Sequence, residues 1–217
     1  MSTLLLRLAA PLQSWGTESK FERRATGREP SKSGVIGLLA AALGLRRDEP
    51  LDDLANLKFG VAIEKAGQVL QDFHTARSSK QTYVTKRYYL EDAAFLVGLE
   101  GGTEFLRTLD SAIKSPFFPL YLGRRSCPPT GRISLGIHDA PLKEALLDTL
   151  FKLGAERDVS KQIILHLDTD EVGAYRQRDM PISFCQEHRK FAYRYINIDV
   201  YKAGYETEHD IFEEVGK

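Results

Sequence analysis

Over the first 137 residues the hydrophobic period switches between two and about 3.6 in a fixed order, and any fold has to satisfy that order. Thr3 to Ala9 sets Leu4, Leu6 and Leu8 against Leu5, Arg7 and Ala9, as in a strand buried on one face or on both. Val35, Leu38, Leu39, Ala42 and Leu43 then fall on a helical stripe, with Ser31 or Ser33 as N-cap and Gly44 as C-terminal stop. Leu57, Phe59, Val61 and Ile63 alternate with Lys58, Gly60, Ala62 and Glu64. The turn Ala66-Gly67-Gln68 predicts that this strand folds back as a hairpin through Val69, Gln71 and Phe73. A buried strand at Ala94 to Leu99 follows. A second amphipathic helix from about Thr103 to Lys114 presents Phe105, Leu106, Leu109 and Ile113, and a strand at Arg132 to Ile137 closes the series.

Strand, helix, strand, strand, helix, strand is the ferredoxin-like order of RNA-recognition domains, a four-stranded sheet with two helices on one face. The expected class is therefore α+β. At 217 residues the chain is long for one such unit. The expected division is residues 1–139 as the ferredoxin-like domain and 140–217 as a smaller, irregular C-terminal lobe. That lobe would hold a short helix near Leu142 to Phe151, a strand near Ile163 to Leu167, a polar loop and a strand from Phe191 to Tyr201.

Three polar stretches interrupt this apolar frame. In LYLGRRSCPPTG (Leu120 to Gly131), Arg124 and Arg125 carry permanent charge and forked donors suited to phosphate oxygens. Gly123 admits close backbone approach there, and Pro128 and Pro129 bar a helix. An anion-holding loop and a solvated turn paired with nearby acids both fit these residues. Leu12 to Pro30 has no period and carries Trp15, Arg23, Arg24 and Arg28; loops of that length are usually functional or disordered. It runs into Ser31-Lys32-Ser33-Gly34, where hydroxyls and the free N–H groups of a helix start make either an anion site or an ordinary cap. GxxxxGK[ST] is not matched there, so a phosphate-binding P-loop is rejected. Beyond Phe73, strand-like Tyr83, Val84, Tyr88 and Tyr89 interleave with Arg77, Lys80, Lys86 and Arg87. The result is a basic, aromatic ribbon that projects from the sheet or serves as a solvated edge hairpin.

The net charge is zero, which argues against a uniformly basic nucleic-acid binder, but the charges are segregated. Lys20 to Arg47 holds seven Lys or Arg against two acids, and His74 to Arg87 holds four against none. The acids gather at Asp48 to Asp53 and from Glu206 to Glu214. One side facing a polyanion and another left for protein partners is the natural reading. Cys127 and Cys185 form no CxxC pair and no disulfide framework, so a reducing cytoplasm is expected and no zinc or other metal site follows. No basic n-region and no run of about 18 apolar residues occurs, so a soluble, unexported protein is expected.

Four stretches together resemble a known family: LRLAAPLQSWG (Leu6 to Gly16), TGREPSKSGVIGLLAAALGLRRDEP (Thr26 to Pro50), PLYLGRRSCPPT (Pro119 to Thr130) and RDMPISF (Arg178 to Phe184). In this order and spacing the chain is similar to the CasD family, the type I-E CRISPR-associated subunit of the Cascade surveillance complex. The resemblance implies a RAMP fold, RNA-recognition-like, with an arched β-hairpin thumb and one copy per complex. It implies a non-catalytic role in defence against foreign DNA, seated on the 5′ handle of the CRISPR RNA (crRNA) beside a backbone subunit and the large subunit. Carried over by position, the handle-binding surface falls on Arg23, Arg24, Arg28, Ser31, Lys32, Ser33, Tyr121, Arg124, Arg125 and Ser126. The thumb falls on about Arg77 to Tyr89, with Arg77, Lys80, Tyr83, Lys86, Arg87 and Tyr88. No cofactor is implied.

Single-stranded RNA offers spread phosphates to arginine forks and unstacked bases to rings. Trp15, Tyr121 and the ribbon tyrosines are candidate stacking faces, Trp15 the weakest because a tryptophan beside a strand end is more often core. Two rival functions stay open on sequence alone. His74, Lys86 and Tyr88 lie near one another in the chain, as metal-independent RNA cleavage would need for precursor crRNA processing. A purely structural adaptor would instead spend its basic residues on acidic neighbours.

Overall fold

The computed structural model describes residues 1–16, 23–77, 82–154, 162–171 and 173–202. In chain order the elements are β1 (Ser2–Ala9), β2 (Leu12–Gln13), β3 (Arg23–Arg24), α1 (Lys32–Leu43), α2 (Asp52–Ala55), β4 (Lys58–Lys65), β5 (Gln68–Arg77) and β6 (Thr82–Glu91). They continue with β7 (Ala94–Gly101), α3 (Thr103–Lys114), β8 (Ser134–His138), α4 (Leu142–Leu153), β9 (Gln162–Thr169), β10 (Tyr175–Ser183) and β11 (Lys190–Lys202).

A seven-stranded sheet in the order β10-β11-β9-β4-β7-β1-β8 is antiparallel throughout. Its middle strands are buried on both faces, which is why β1 reads as a nearly unbroken apolar run. Leu4, Leu6 and Leu8 point to one side, where they meet α1 and α3 together with Phe59, Val61, Phe95, Val97 and Leu99. Leu5, Ala62 and Leu96 point to the other side and meet Leu142, Ala145, Leu146 and Leu150 of α4. Two glycines set how closely α4 approaches. A Cβ on Gly98 would stand 2.5 Å from Leu142, and one on Gly60 would stand 2.8 Å from Leu167 and 3.0 Å from Leu146.

Helix α1 starts at Ser31, whose hydroxyl accepts the Gly34 N–H, and ends on Gly44 with φ of +82°, as its caps predict. It is buried nearly all round, because the sheet and α3 cover one flank and Phe184, after β10, lies against Gly37 on another.

Four sequence expectations change. First, β4 and β5 do not pair. Gly67, at φ +67°, turns the chain out of the main sheet, and β5 pairs with β6 in a second sheet that also holds β2 and β3. Second, the face opposite α1 and α3 is covered by α4 where an RNA-recognition sheet would be open. Third, the boundary expected at 139/140 falls inside one continuous sheet, since β9 pairs with β4 and carries β11 and β10 beyond it. Fourth, the polar loop after β9 contains β10, and Leu12 to Pro30 contributes the two-residue strands β2 and β3. Such short ladders carry no readable period.

The attachment of β9–β11 is electrostatic as well as apolar. Arg194 of β11 donates from Nε and Nη2 to the two oxygens of Asp179 (2.6 and 2.9 Å) and from Nη1 to Asp168, with its guanidinium 5.0 Å above the Phe59 ring. Asp168 also accepts the Lys32 ammonium (2.9 Å) and the Phe59 N–H (3.1 Å), and Asp179 accepts the Lys32 N–H at the first turn of α1 (2.8 Å). Strands β4, β9, β10, β11 and helix α1 thus meet on two carboxylates and two cations, of which Lys32, Asp179 and Arg194 are buried and Asp168 is mostly so.

Candidate nucleic-acid interface

The segment after β1 is shaped by Trp15. Its ring is buried, Nε1 donates to Gln13 Oε1 (3.0 Å), and Gln13 in turn donates to the carbonyls of Ala93 and Leu8. A Cβ on Gly34 would lie 2.9 Å from the Trp15 ring, so glycine at this place lets the start of α1 lie flat on it. Trp15 is core, as its sequence setting suggested, and offers no ring to a base.

The glycine-arginine loop closes on the same segment. Ser14 donates its N–H to the Leu122 carbonyl (3.1 Å), and Gly123 has φ +92°. A Cβ there would fall 1.7 Å from the Ser14 carbonyl oxygen. Residues 12–16, the N-terminus of α1 and the glycine-arginine loop, distant in sequence, therefore border one cleft of about 440 Å³. Its wall comprises Ser14 to Gly16, Arg24, Ala25, Ser31, Ser33, Gly34, Gly123, Arg124 and Arg189. Three arginines and three serines around an open cleft suit a phosphate-bearing ligand.

Of the expected binding residues, Arg24, Ser31, Ser33 and Arg124 line this cleft. Arg28, Arg125 and Ser126 are exposed but lie outside its wall, and Tyr121 is half-buried. Arg23 pairs with Lys86 along parallel strands β3 and β6, and its side chain lies outside the described residues. Lys32 is corrected. Its ammonium is buried on Asp168 and the Leu57 carbonyl, so it cannot meet a ligand in the cleft and instead ties α1 to β9.

Arg124 also acts within the protein. It donates to the carbonyls of Tyr88 (3.1 Å) and Arg24 (2.9 Å) and lies 4.6 Å over the Tyr89 ring, joining the loop to the foot of the β5–β6 hairpin. Burial alone would raise the Tyr89 phenol, but hydrogen bonds with Ser126, Arg124 and Arg87 and the Arg124 charge bring it below its ordinary value.

The hairpin strands pair over ten residues each, so the ribbon begins at Gln68, nine residues before the expected start at Arg77. Arg77, Tyr83 and Lys86 are exposed, Arg87 and Tyr88 half-buried. Lys80 lies outside the described residues, as does the acidic segment from Glu206 to Glu214. Register separates the residues proposed for cleavage. His74 faces Thr85, whereas Lys86 faces Phe73 and Tyr88 faces Gln71. Neighbouring residues of a strand point to opposite faces, so His74 stands on one side of the ribbon and Lys86 and Tyr88 on the other. His74 is bonded to Asp72, and Lys86 lies 6.0 Å over Phe73.

Sequence reasoning missed Arg189, which enters the cleft from the turn before β11. The available signal was the basic pair Arg189-Lys190 opening a strand with aromatic residues at every second position. His166 of β9, half-buried near Glu29 (3.7 Å), is a further titrating group. Burial lowers its pKa, Glu29 opposes this and Arg194 adds to it, leaving the net value below the usual histidine range. The unfolded chain then takes up the proton first, so stability is expected to decline as pH falls through about 6.5. Urea unfolding at pH 7.5 and 5.5 checks this, and His166→Gln should flatten the difference.

These features define a mixed α/β protein with a largely antiparallel sheet, a second sheet built on the β5–β6 pair, and a basic cleft. The model of the family described as CRISPR-associated protein (Cas_Cas5) matches residues 3–197. The chain belongs to this CRISPR-associated Cas5 family, and to the CasD branch of it. It is 37% identical over 158 residues to the CRISPR system Cascade subunit CasD of Escherichia coli strain K12, covering 62% of this chain and 70% of that one. Two solved structures are similar. One, described as the crystal structure of a Cas protein, has 39% identity and a TM-score of 0.72 over 93% of this chain and 95% of the other. The second, from a CRISPR RNA-guided surveillance complex, has 33% identity and a TM-score of 0.78 over 93% and 90%.

Proposed function

We propose that this protein is the crRNA-binding subunit of a type I-E Cascade complex and that the cleft between α1 and the glycine-arginine loop grips the 5′ handle. The observation that carries this reading is the convergence of Arg24, Ser31, Ser33 and Arg124 on one open cleft from three separate stretches of chain. Its likeness to CasD and to a surveillance-complex subunit supports the Cascade role and other Cascade subunits as partners. The finer picture is one copy per complex at the end of the backbone, beside a backbone subunit and the large subunit, in the cytoplasm.

Strand order β4-β7-β1-β8 with α1 and α3 on one face supports a ferredoxin-like RAMP core, extended by β9–β11. The β5–β6 hairpin is its thumb, and wedging between nucleotides at the handle-guide junction is its role. A non-catalytic role is favoured by the division of His74 from Lys86 and Tyr88 across the ribbon.

The test is charge reversal at two exposed arginines, one of the cleft wall and one of the glycine-arginine loop. Arg24→Glu combined with Arg125→Glu is expected to weaken handle binding and to lower the salt slope by roughly 0.7 per lost phosphate contact. RNA affinity and slope left unchanged while complex assembly fails would establish the adaptor role instead. Cleavage of repeat RNA by the purified protein, lost on His74→Ala, would establish the nuclease.

A further inference from the structure

Helix α4 covers the middle of the sheet, over β4, β7 and β1, and reaches the C-terminal end of β11, where Lys143 pairs with Asp199 and lies over the Tyr201 ring; the N-terminal half of β11 lies beyond it. Along β11 the inward residues are Arg194 and Ile196, both buried. The outward series is Phe191, Tyr193 and Tyr195, with Tyr193 53% and Tyr195 44% exposed. A strand with one buried face normally alternates apolar with small polar or charged residues, and exposed tyrosines at consecutive outward positions contribute nothing to the core.

Two further observations give this row a ligand chemistry. Arg189, which lines the cleft, lies 5.2 Å over the Phe191 ring, and Arg176 of β10, in register with Tyr195, lies 4.2 Å over the Tyr193 ring. Cations therefore flank the rings from the cleft outward. The rings repeat every second residue, about 6.8 Å apart, a step comparable to that of an extended single strand. The row is continuous with the cleft through Arg189.

We propose that the outer face of β11 and β10 is a second single-stranded RNA surface, a stacking track that takes the nucleotides leaving the cleft. Tyr193 and Tyr195 offer ring faces to successive bases, and Arg176 and Arg189 meet the phosphates. An open sheet face with aromatic residues is how single strands are bound without base-edge readout. Here that surface lies on the C-terminal extension of the sheet, because α4 occupies the face where the core strands would have offered it. The proposal rests on the reading of the cleft as an RNA site.

The experiment uses the full-length protein with fluorescent uridine oligomers of four and twelve nucleotides, read by anisotropy at fixed salt. Wild type is expected to bind the twelve-mer more tightly than the four-mer. Tyr193→Ala with Tyr195→Ala should cost about tenfold or more on the twelve-mer and leave the four-mer unchanged. Arg176→Gln should weaken the twelve-mer in the same sense. Both tyrosines are exposed, so the urea midpoint of the variant should match wild type and separates a binding effect from a folding one. Unchanged twelve-mer affinity in a wild type that binds both oligomers would overturn the track alone. The same result together with loss of another Cascade subunit from the purified complex would make the face a protein dock. Wild type binding neither oligomer would overturn the cleft reading, and the track with it.

Discussion

Arg194→Met is expected to lower the free energy of unfolding by about 3–5 kcal/mol, the range for removing one partner of a buried ion pair. Methionine fills much of the arginine's volume, so the loss is chiefly electrostatic. Asp179 would stay buried with the Lys32 N–H as a donor and no cation on it, while Asp168 would keep the Lys32 ammonium and the Phe59 N–H. Urea unfolding measures the effect, and the second half of the test is a rescue. Arg194→Met combined with Asp179→Asn removes the carboxylate that loses its cation while the Lys32–Asp168 pair stays intact, and should recover a substantial part of the loss, because removing a buried charge together with its partner costs far less than removing one alone. A single variant as stable as wild type would show that the cluster does not fasten β9–β11 to α1.

Gly123→Ala carries the second large effect, on binding. The methyl would stand 1.7 Å from the Ser14 carbonyl oxygen, a backbone atom that no side-chain rotation moves, at a φ of +92° that alanine adopts only under strain. The loop and residues 12–16 must separate, breaking the Ser14 to Leu122 bond and opening the wall that carries Arg124. Overpacking of this kind costs about 1–3 kcal/mol of stability. Handle RNA affinity is expected to fall by at least about tenfold, equivalent to roughly 1.4 kcal/mol, with most of the fold intact. Anisotropy titration alongside circular dichroism checks both parts, and unchanged RNA affinity would place the handle elsewhere.

Much of this was legible beforehand, for reasons that differ by element. Helix α1 is legible because Gly44 marks its stop and a serine its start, although Ser31 and Ser33 both fit the cap and only the structure selects Ser31, whose hydroxyl takes the Gly34 N–H. The strands β1, β4, β7 and β8 were visible through their period. The pairing of β4 with β5 was misjudged because a glycine turn looks the same whether it returns a strand onto its neighbour or sends it into another sheet. Arg124 was found as a charged loop residue, but its bonds to the carbonyls of Tyr88 and Arg24 join parts of the chain 36 and 100 residues away. Lys32 was misread for a related reason, since a lysine beside two serines gives no sign of a carboxylate 136 positions later.

By itself the sequence determined the periods, the caps, the segregated charge and the family motifs, because each is a property of neighbours in the chain. Only the tertiary structure decided which charges are spent on buried carboxylates. It buries Lys32 and Arg194 on Asp168 and Asp179, leaves Arg24, Arg124 and Arg189 around a cleft, and lays α4 over the face where an RNA-recognition sheet would be open. Whether a charge is spent on a buried partner or offered to a ligand depends on what the fold brings within 3 Å of it, and sequence spacing carries no record of that.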